Sequence, residues 1–202
     1  CSGVSVNYVP TAAVAGTVFN WTSSVTVGTV TGNTAVGGLG TIADVLVNTT
    51  NVIGTVRYVI TPVANGCSGT PFNVDVTVDP QPTLSTVVTP LSQVLCSNTA
   101  MVIDVNSATV PSAGSVVYDY VAVASDVSVT GFTASAINQS LATNISNLNV
   151  LNSSLIRQTI TYTITPKVLG GLACAGPSVV VVISIDPVPV VRSEEHTSEL
   201  QS

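Results

Sequence analysis

Short runs of alternating apolar and polar residues recur along the chain, and this period of two predicts β-strands. One run places Val56, Tyr58 and Ile60 on the same face of a strand. A later run, 159–165, repeats the pattern with isoleucine, tyrosine and isoleucine on one face and threonines on the other. Glycine-containing turns at 36–40, 65–66 and 169–171 separate the runs. The pattern therefore predicts an all-β protein of many short strands.

The order of these motifs occurs twice along residues 1–191. Each pair keeps the same order, and the offset between copies varies from 95 to 107 residues. The clearest pairs are Cys1-Ser2 with Cys96-Ser97, Tyr58–Pro62 with Tyr162–Pro166, Cys67 with Cys174, and Asp79–Pro82 with Asp186–Pro189. Changes in length between fixed motifs are typical of loops between strands, so the chain contains a duplicated unit.

Each unit is long enough for an antiparallel β-sandwich of about six or seven strands. We predict two tandem antiparallel sandwiches, over residues 1–84 and 85–191. The sequence Asp-Pro-x-Pro closes each copy. Because proline lacks a backbone donor and favours extended conformations, these segments are predicted to be strand ends and stiff linkers.

Several of these motifs together resemble the PKD-like repeats. The motifs are Cys1-Ser2-Gly3, Gly16–Thr22, Val30-Thr31-Gly32, Tyr58–Pro62, Asn65-Gly66-Cys67 and Val78-Asp79-Pro80. The second unit resembles the family more loosely, since Tyr120 stands where the first has Trp21. The resemblance implies Ig-like sandwiches in very long exported surface proteins of gliding bacteria, serving as spacers or adhesive modules. It implies no defined catalytic or binding residue.

The duplication favours one of the three ways in which four cysteines can pair. We expect disulfides Cys1–Cys67 and Cys96–Cys174, each within one repeat. The alternative is four free thiols that pack as small apolar side chains. A zinc site is disfavoured, because no Cys-x-x-Cys pair occurs and residues 1–191 contain no histidine. Disulfides would place the protein in an oxidising, extracellular compartment.

The last eleven residues differ from the rest, because 192–202 contain every glutamate and the only histidine. This string resembles a translated sequencing adapter, so we predict a non-native tail and expect the natural chain to continue beyond Val191. Residues 1–191 then carry three basic and seven acidic residues, a net charge of −4. With 39 valines and a mean hydropathy of +0.58, the composition favours strands. It disfavours a nucleic-acid partner, and no apolar stretch is long enough for a membrane span.

Catalysis has little support in the sequence, since residues 1–191 offer only Lys167 and scattered aspartates for acid–base chemistry. We therefore expect no enzyme activity and no cofactor. The expected partners are neighbouring repeats of the same chain and, for an adhesive module, surface glycans or proteins. The alternative function is a carbohydrate-binding module of a secreted enzyme, with Trp21 as an exposed sugar platform. We favour Trp21 as a core residue, and likewise Tyr58 and Tyr162, which occupy matching positions in the two repeats.

Three smaller features leave alternatives open. Asp79 and Asp186 at the linkers are expected to cap turns, with calcium binding as the alternative. Val180 and Val182 lie on the outward face of a strand, where they either meet a neighbouring domain or stay exposed. Five matches to the N-glycosylation pattern, among them Asn48-Thr49-Thr50 and Asn152-Ser153-Ser154, are expected by chance in this composition.

Overall fold

The computed structural model describes residues 1–191, and it contains no helix in that part of the chain. The predicted adapter-derived tail, 192–202, lies outside the described residues. Seventeen strands form four sheets, and no strand of residues 4–78 pairs with a strand of residues 85–186. The predicted fold class is confirmed: the chain folds as two tandem β-sandwiches. The first unit has eight strands and the second has nine, more than the six or seven predicted, because several strands consist of only two or three residues.

The first sandwich, repeat 1, consists of a three-stranded and a five-stranded sheet. Its strands are β1 (Val4–Ser5), β2 (Val18–Val27), β3 (Val30–Thr31), β4 (Val36–Gly38), β5 (Val45–Asn48), β6 (Gly54–Ala64), β7 (Cys67–Ser68) and β8 (Phe72–Val78). The smaller sheet has the order β1-β5-β3. The larger has the order β4-β2-β6, with β7 and β8 both pairing with β6. All these pairings are antiparallel.

The second sandwich, repeat 2, has the same plan with longer strands. Its strands are β9 (Ser85–Thr89), β10 (Val94–Cys96), β11 (Thr99–Asn106), β12 (Ser115–Ala124), β13 (Val129–Thr130), β14 (Ser135–Ser140), β15 (Ile145–Asn152), β16 (Gln158–Leu169) and β17 (Val179–Asp186). One sheet has the order β13-β15-β11-β9 and the other β10-β17-β16-β12-β14. Only β10 pairs in parallel, with the end of β17.

Residues that alternate in the sequence point alternately into the core and towards the outside of each sandwich. Val56, Tyr58 and Ile60 of β6 are fully buried, and so are their counterparts in β16. The cores remain separate clusters, one in each repeat. Because inward side chains of facing sheets interdigitate, burial of these branched and aromatic groups is the main stabilising contribution to each sandwich.

A buried asparagine fixes the same strand end in each repeat. The Nδ2 group of Asn48 donates to the carbonyls of Val52 and Val78, and its Oδ1 accepts from the backbone and hydroxyl of Thr50. Asn152 makes the equivalent four bonds in repeat 2. Both residues begin matches to the glycosylation pattern, but their amide groups are occupied in the interior. They are therefore structural residues, and the shared offset of 104 with the tyrosines is the sequence signal for them.

Candidate functional site

The one disulfide among the described residues joins the two repeats. Cys1 is bonded to Cys174, with their Cα atoms 5.6 Å apart, a normal separation for a disulfide. Cys67 and Cys96 are free and exposed. The predicted pairs Cys1–Cys67 and Cys96–Cys174 are therefore wrong, and so is the alternative of four free thiols.

The reason is that the two cysteines of a repeat lie at opposite ends of its sandwich. Cys67 pairs with Ala64 at one end of β6. Cys1 lies at the other end, because the next residue, Ser2, donates its backbone N–H to the carbonyl of Asp79, just beyond the pair Gly54–Val78. At a rise of about 3.3 Å per residue, the ten residues between these ends of β6 span roughly 30 Å. A disulfide cannot cross that distance.

The linker side of repeat 1 contacts repeat 2 through a buried carboxylate. Asp79 is 2% exposed, and its Oδ1 accepts from the backbone N–H of Ser112 at 2.7 Å. The Ser112 hydroxyl donates to Oδ2 at 2.9 Å. A buried carboxylate needs such donors to offset its lost hydration. Asp79 thus caps a loop, as expected of a strand-end aspartate, but the loop belongs to the neighbouring repeat.

The linker itself lies against the hairpin that contains Cys174. The carbonyl of Pro82 sits so close to Gly176 that a Cβ atom there would be 1.7 Å from it, which excludes any side chain at this position. The amide of Gln81 donates to the carbonyl of Ala175. On the other side of the junction, the backbone N–H of Val110 donates to the carbonyl of Asn51 at 2.7 Å. The two repeats are therefore held together by one covalent bond and by contacts on both sides of it.

Asp186, the counterpart of Asp79, has a different environment. It forms an ion pair with Arg157, with nitrogen–oxygen distances of 2.6 and 2.9 Å. The hydrogen bonds from Arg157 hold the pKa of Asp186 below its usual value. Within residues 1–191, no three His, Cys, Asp or Glu side chains come together as a metal site would require.

The predicted core aromatics lie in the cores. Trp21 is 8% exposed and packs beneath Gly37, where no Cβ would fit. Tyr58 and Tyr162 are fully buried. Their hydroxyls meet polar groups inside each sandwich, because Tyr58 donates to Asp44 and Tyr162 accepts from Asn147. Trp21 is therefore not the exposed sugar platform that the carbohydrate-binding alternative requires.

The remaining residues that the sequence analysis singled out lie on strands of repeat 2. Val180 and Val182 are 60% and 43% exposed, so this face of β17 does not contact repeat 1. Lys167 forms an ion pair with Asp119 at 2.6 Å, between β16 and β12.

Among the described residues, there is no helix that could span a membrane.

Beside β1 and β8 of repeat 1 lies an open groove of about 430 Å³, lined by Val4–Tyr8, Leu46 and Asp75–Val78. The equivalent position in repeat 2 is filled by β10, which pairs with β17 and buries Leu95. The groove of repeat 1 therefore lies where repeat 2 has a strand.

Comparison with known proteins places this architecture in a family. No curated protein matches the chain at a significant level. The family model of the PKD-like domain matches twice, over residues 1–82 and 93–189. The two matches coincide with the duplicated units and with the two sandwiches. The chain therefore belongs to the PKD-like domain family and contains two copies of the domain in tandem.

Proposed function

We propose that the chain is a non-catalytic spacer segment of a large exported surface protein of a gliding bacterium, divided into its two modules after residue 84. PKD-like domains are typically extracellular structural or adhesion modules. A disulfide within the chain fits an oxidising environment. Residues 192–202 are, in this proposal, a non-native tail of adapter origin.

The observation that carries the proposal is the position of the disulfide between Cys1 and Cys174. The two cysteines are 173 residues apart in sequence. A pulling force that enters at residue 1 passes directly through the disulfide to residue 174, so the segment between them bears no load. A segment that must keep its length under tension benefits from such a bypass, because unfolding inside it produces no extension.

The bypass has a size that can be measured. At about 3.5 Å per extended residue, releasing a 173-residue segment lengthens the chain by roughly 600 Å. With the disulfide closed, only the residues after 174 can extend. The non-covalent contacts of Asp79 and Asn51 keep the two sandwiches aligned while the disulfide limits how far they can separate.

Single-molecule force spectroscopy with handles at the two termini tests the proposal. We expect the oxidised protein to extend by no more than roughly 100 Å on unfolding and the Cys1→Ser variant by roughly 600 Å more, at about 3.5 Å per residue. Cys67→Ser is the matched control, because it removes an exposed thiol and leaves the disulfide intact. Equal extension of the oxidised protein and the Cys1→Ser variant contradicts the spacer proposal.

The alternative of a carbohydrate-binding accessory module has a separate test. An array of surface polysaccharides and oligosaccharides should show no selective binding by the oxidised protein. Selective, saturable binding to one sugar class would favour the alternative and would direct attention to surfaces other than Trp21, since that side chain lies in the core.

A further inference from the structure

The two free cysteines occupy the same positions as the two bonded ones. Cys96 is the counterpart of Cys1: Ser97 donates its N–H to the carbonyl of Asp186, as Ser2 does to Asp79. The Ser97 hydroxyl accepts from the backbone of Asn152, and the Ser2 hydroxyl accepts in the same way from the backbone of Asn48. Cys96 is thus held at the outer end of repeat 2 as Cys1 is held at the junction.

Cys67 is the counterpart of Cys174 at the other outer end. Two residues after each cysteine, a glycine donates its N–H to a proline carbonyl, Gly69 to Pro62 at 2.8 Å and Gly176 to Pro166 at 2.9 Å. The same short hairpin therefore presents Cys67 on repeat 1 and Cys174 on repeat 2.

The two hairpins differ in what lies against them. Pro82 of the linker covers Gly176, whereas the atoms nearest to a Cβ built at Gly69 belong to Pro62 of the same repeat. In place of the linker, repeat 1 has an open apolar hollow of about 300 Å³ lined by Ala12, Val14, Pro62, Cys67 and Gly69, among others. The hollow is the unfilled equivalent of the site that holds the linker on repeat 2.

A matching linker lies at the opposite end of the same chain. Asp186-Pro187-Val188-Pro189 has the spacing of Asp79-Pro80-Gln81-Pro82. Pro189 corresponds to Pro82, and Val188 is 57% exposed. One end of the two-repeat unit thus carries an exposed thiol beside a proline linker, and the other end carries an exposed thiol beside a hollow for such a linker.

We propose that these two ends are complementary, so that a second copy of the repeat pair docks head to tail and forms a disulfide between Cys96 of one copy and Cys67 of the next. This inference rests on the proposed function and deepens it, because it names the next repeat as the binding partner. Interfaces between different surfaces of the same protein propagate into open chains unless the rotation between copies closes a ring. The arrangement therefore extends the covalent connection of the repeats along a filament.

Two side-chain contacts of the internal junction are not repeated between copies: the Gln81 amide that donates to Ala175 is replaced by Val188, and Asp79 has no repeated partner. Ser112, which binds Asp79, lies two residues before Gly114, and the equivalent residue before Gly16 is Val14. Asp186 keeps Arg157 as its partner instead. The junction between copies therefore depends on the linker, the hollow and the disulfide.

The chemistry of the new bond is thiol–disulfide exchange. The thiolate of one cysteine attacks a small-molecule disulfide such as oxidised glutathione and releases one thiol. The second cysteine then displaces the other glutathione thiol, so that one S–S bond is formed, one is broken, and the protons of the two protein thiols end on the two released glutathione thiols. Both cysteines are exposed and can take part.

Single-cysteine variants and their mixture test the inference in a glutathione redox buffer. The wild-type protein should form a ladder of covalent oligomers on a non-reducing gel. Cys67→Ser alone and Cys96→Ser alone should remain monomeric, whereas their equimolar mixture should form a dimer, and no larger species, at least tenfold more than either variant alone. The Cys67→Ser, Cys96→Ser double variant is the control for the Cys1–Cys174 bond, which should stay intact in all of them.

Two outcomes would overturn the inference. Dimers of a single variant as abundant as those of the mixture would show unselective oxidation. An absence of wild-type oligomers, while both thiols react with a thiol reagent, would show that the ends do not meet. Either result leaves the spacer proposal standing if the force measurement shows the bypass, so the two failures can be distinguished.

Discussion

The buried carboxylate of Asp79 in repeat 1 accepts both of its hydrogen bonds from Ser112 in repeat 2. A charged group at the end of one sandwich is therefore satisfied only while the other sandwich is in place. The contact with repeat 2 therefore contributes to the stability of repeat 1, in addition to the covalent bond between Cys1 and Cys174.

Replacing Asp79 with alanine should weaken repeat 1 and its contact with repeat 2. The change removes both hydrogen bonds between the buried carboxylate and Ser112, and we expect a loss of about 2 kcal/mol in the free energy of unfolding. Trp21, the only tryptophan and a core residue of repeat 1, provides the fluorescence signal for urea unfolding. The matched control is Asp186→Ala, which removes an exposed ion pair with Arg157 and should have little effect. Equal effects of the two variants would refute the role assigned to the junction.

The internal hydrogen bonds of Asn48 lead to a second prediction. Its side chain makes four of them at the buried end of β5, so Asn48→Ala should lower the free energy of unfolding of repeat 1 by about 3 kcal/mol. Asn73→Ala, on the exposed face of β8, is the matched control and should change it by less than about 0.5 kcal/mol. Urea unfolding followed by Trp21 fluorescence measures both. A small effect of Asn48→Ala would mean that water replaces these bonds.

Asp44 should make repeat 1 sensitive to acid. Burial alone raises the pKa of this carboxyl, but hydrogen bonds from Thr34 and Tyr58 outweigh it and hold the pKa below the ordinary value of 3.8. A carboxyl with a lowered pKa in the folded state stabilises the protein above its unfolded pKa, and this contribution is lost as the pH falls through the folded value.

Asp44→Asn tests this pH dependence, and repeat 2 already has an asparagine at the equivalent position. In repeat 2, Asn147 takes the equivalent part, accepting from the backbone of Thr133 and binding the core tyrosine Tyr162. The variant should be less stable than the wild type at pH 7, and the difference should shrink below about pH 4. Thermal unfolding followed at Trp21 between pH 7 and pH 2 measures it. A difference that stays constant over this range would contradict the account.

The sequence predicts the repeats better than it predicts what joins them. Alternation along β6 and β16 depends on local period, and the inward side of Tyr58 and Tyr162 follows from it directly. The pairing of the cysteines depends on which end of a sandwich each one occupies. Spacing along the chain does not contain that information, because Cys1 and Cys67 belong to one repeat yet lie at opposite ends of it.

The roles of Asn48 and Asp79 were hidden for a related reason. A glycosylation pattern is short and common in a chain rich in asparagine, serine and threonine, so the motif at Asn48 does not indicate burial, and the signal lies only in the offset of 104 residues that it shares with the tyrosines. The sequence around Asp79 is typical of an ordinary strand end. Its partner Ser112 lies in a loop whose length differs between the repeats. Contacts between loops of different units have no local pattern that a single sequence could reveal.

The connection between the repeats can be tested most directly by tryptic mapping without reduction. Trypsin cleaves after Arg57, Arg157, Lys167 and Arg192, which places Cys1 in peptide 1–57, Cys67 and Cys96 together in 58–157, and Cys174 in 168–192. The three sets are separate, so a bond between Cys1 and Cys174 and bonds within each repeat leave different products.

In the monomer, the inter-repeat disulfide predicts that peptides 1–57 and 168–192 are recovered as one linked species, with 58–157 free and carrying two thiols. Pairing within each repeat would instead link all three peptides into a single species with no free thiol. Recovery of the three-peptide species from the folded protein would contradict the central claim that a covalent bond joins the two sandwiches.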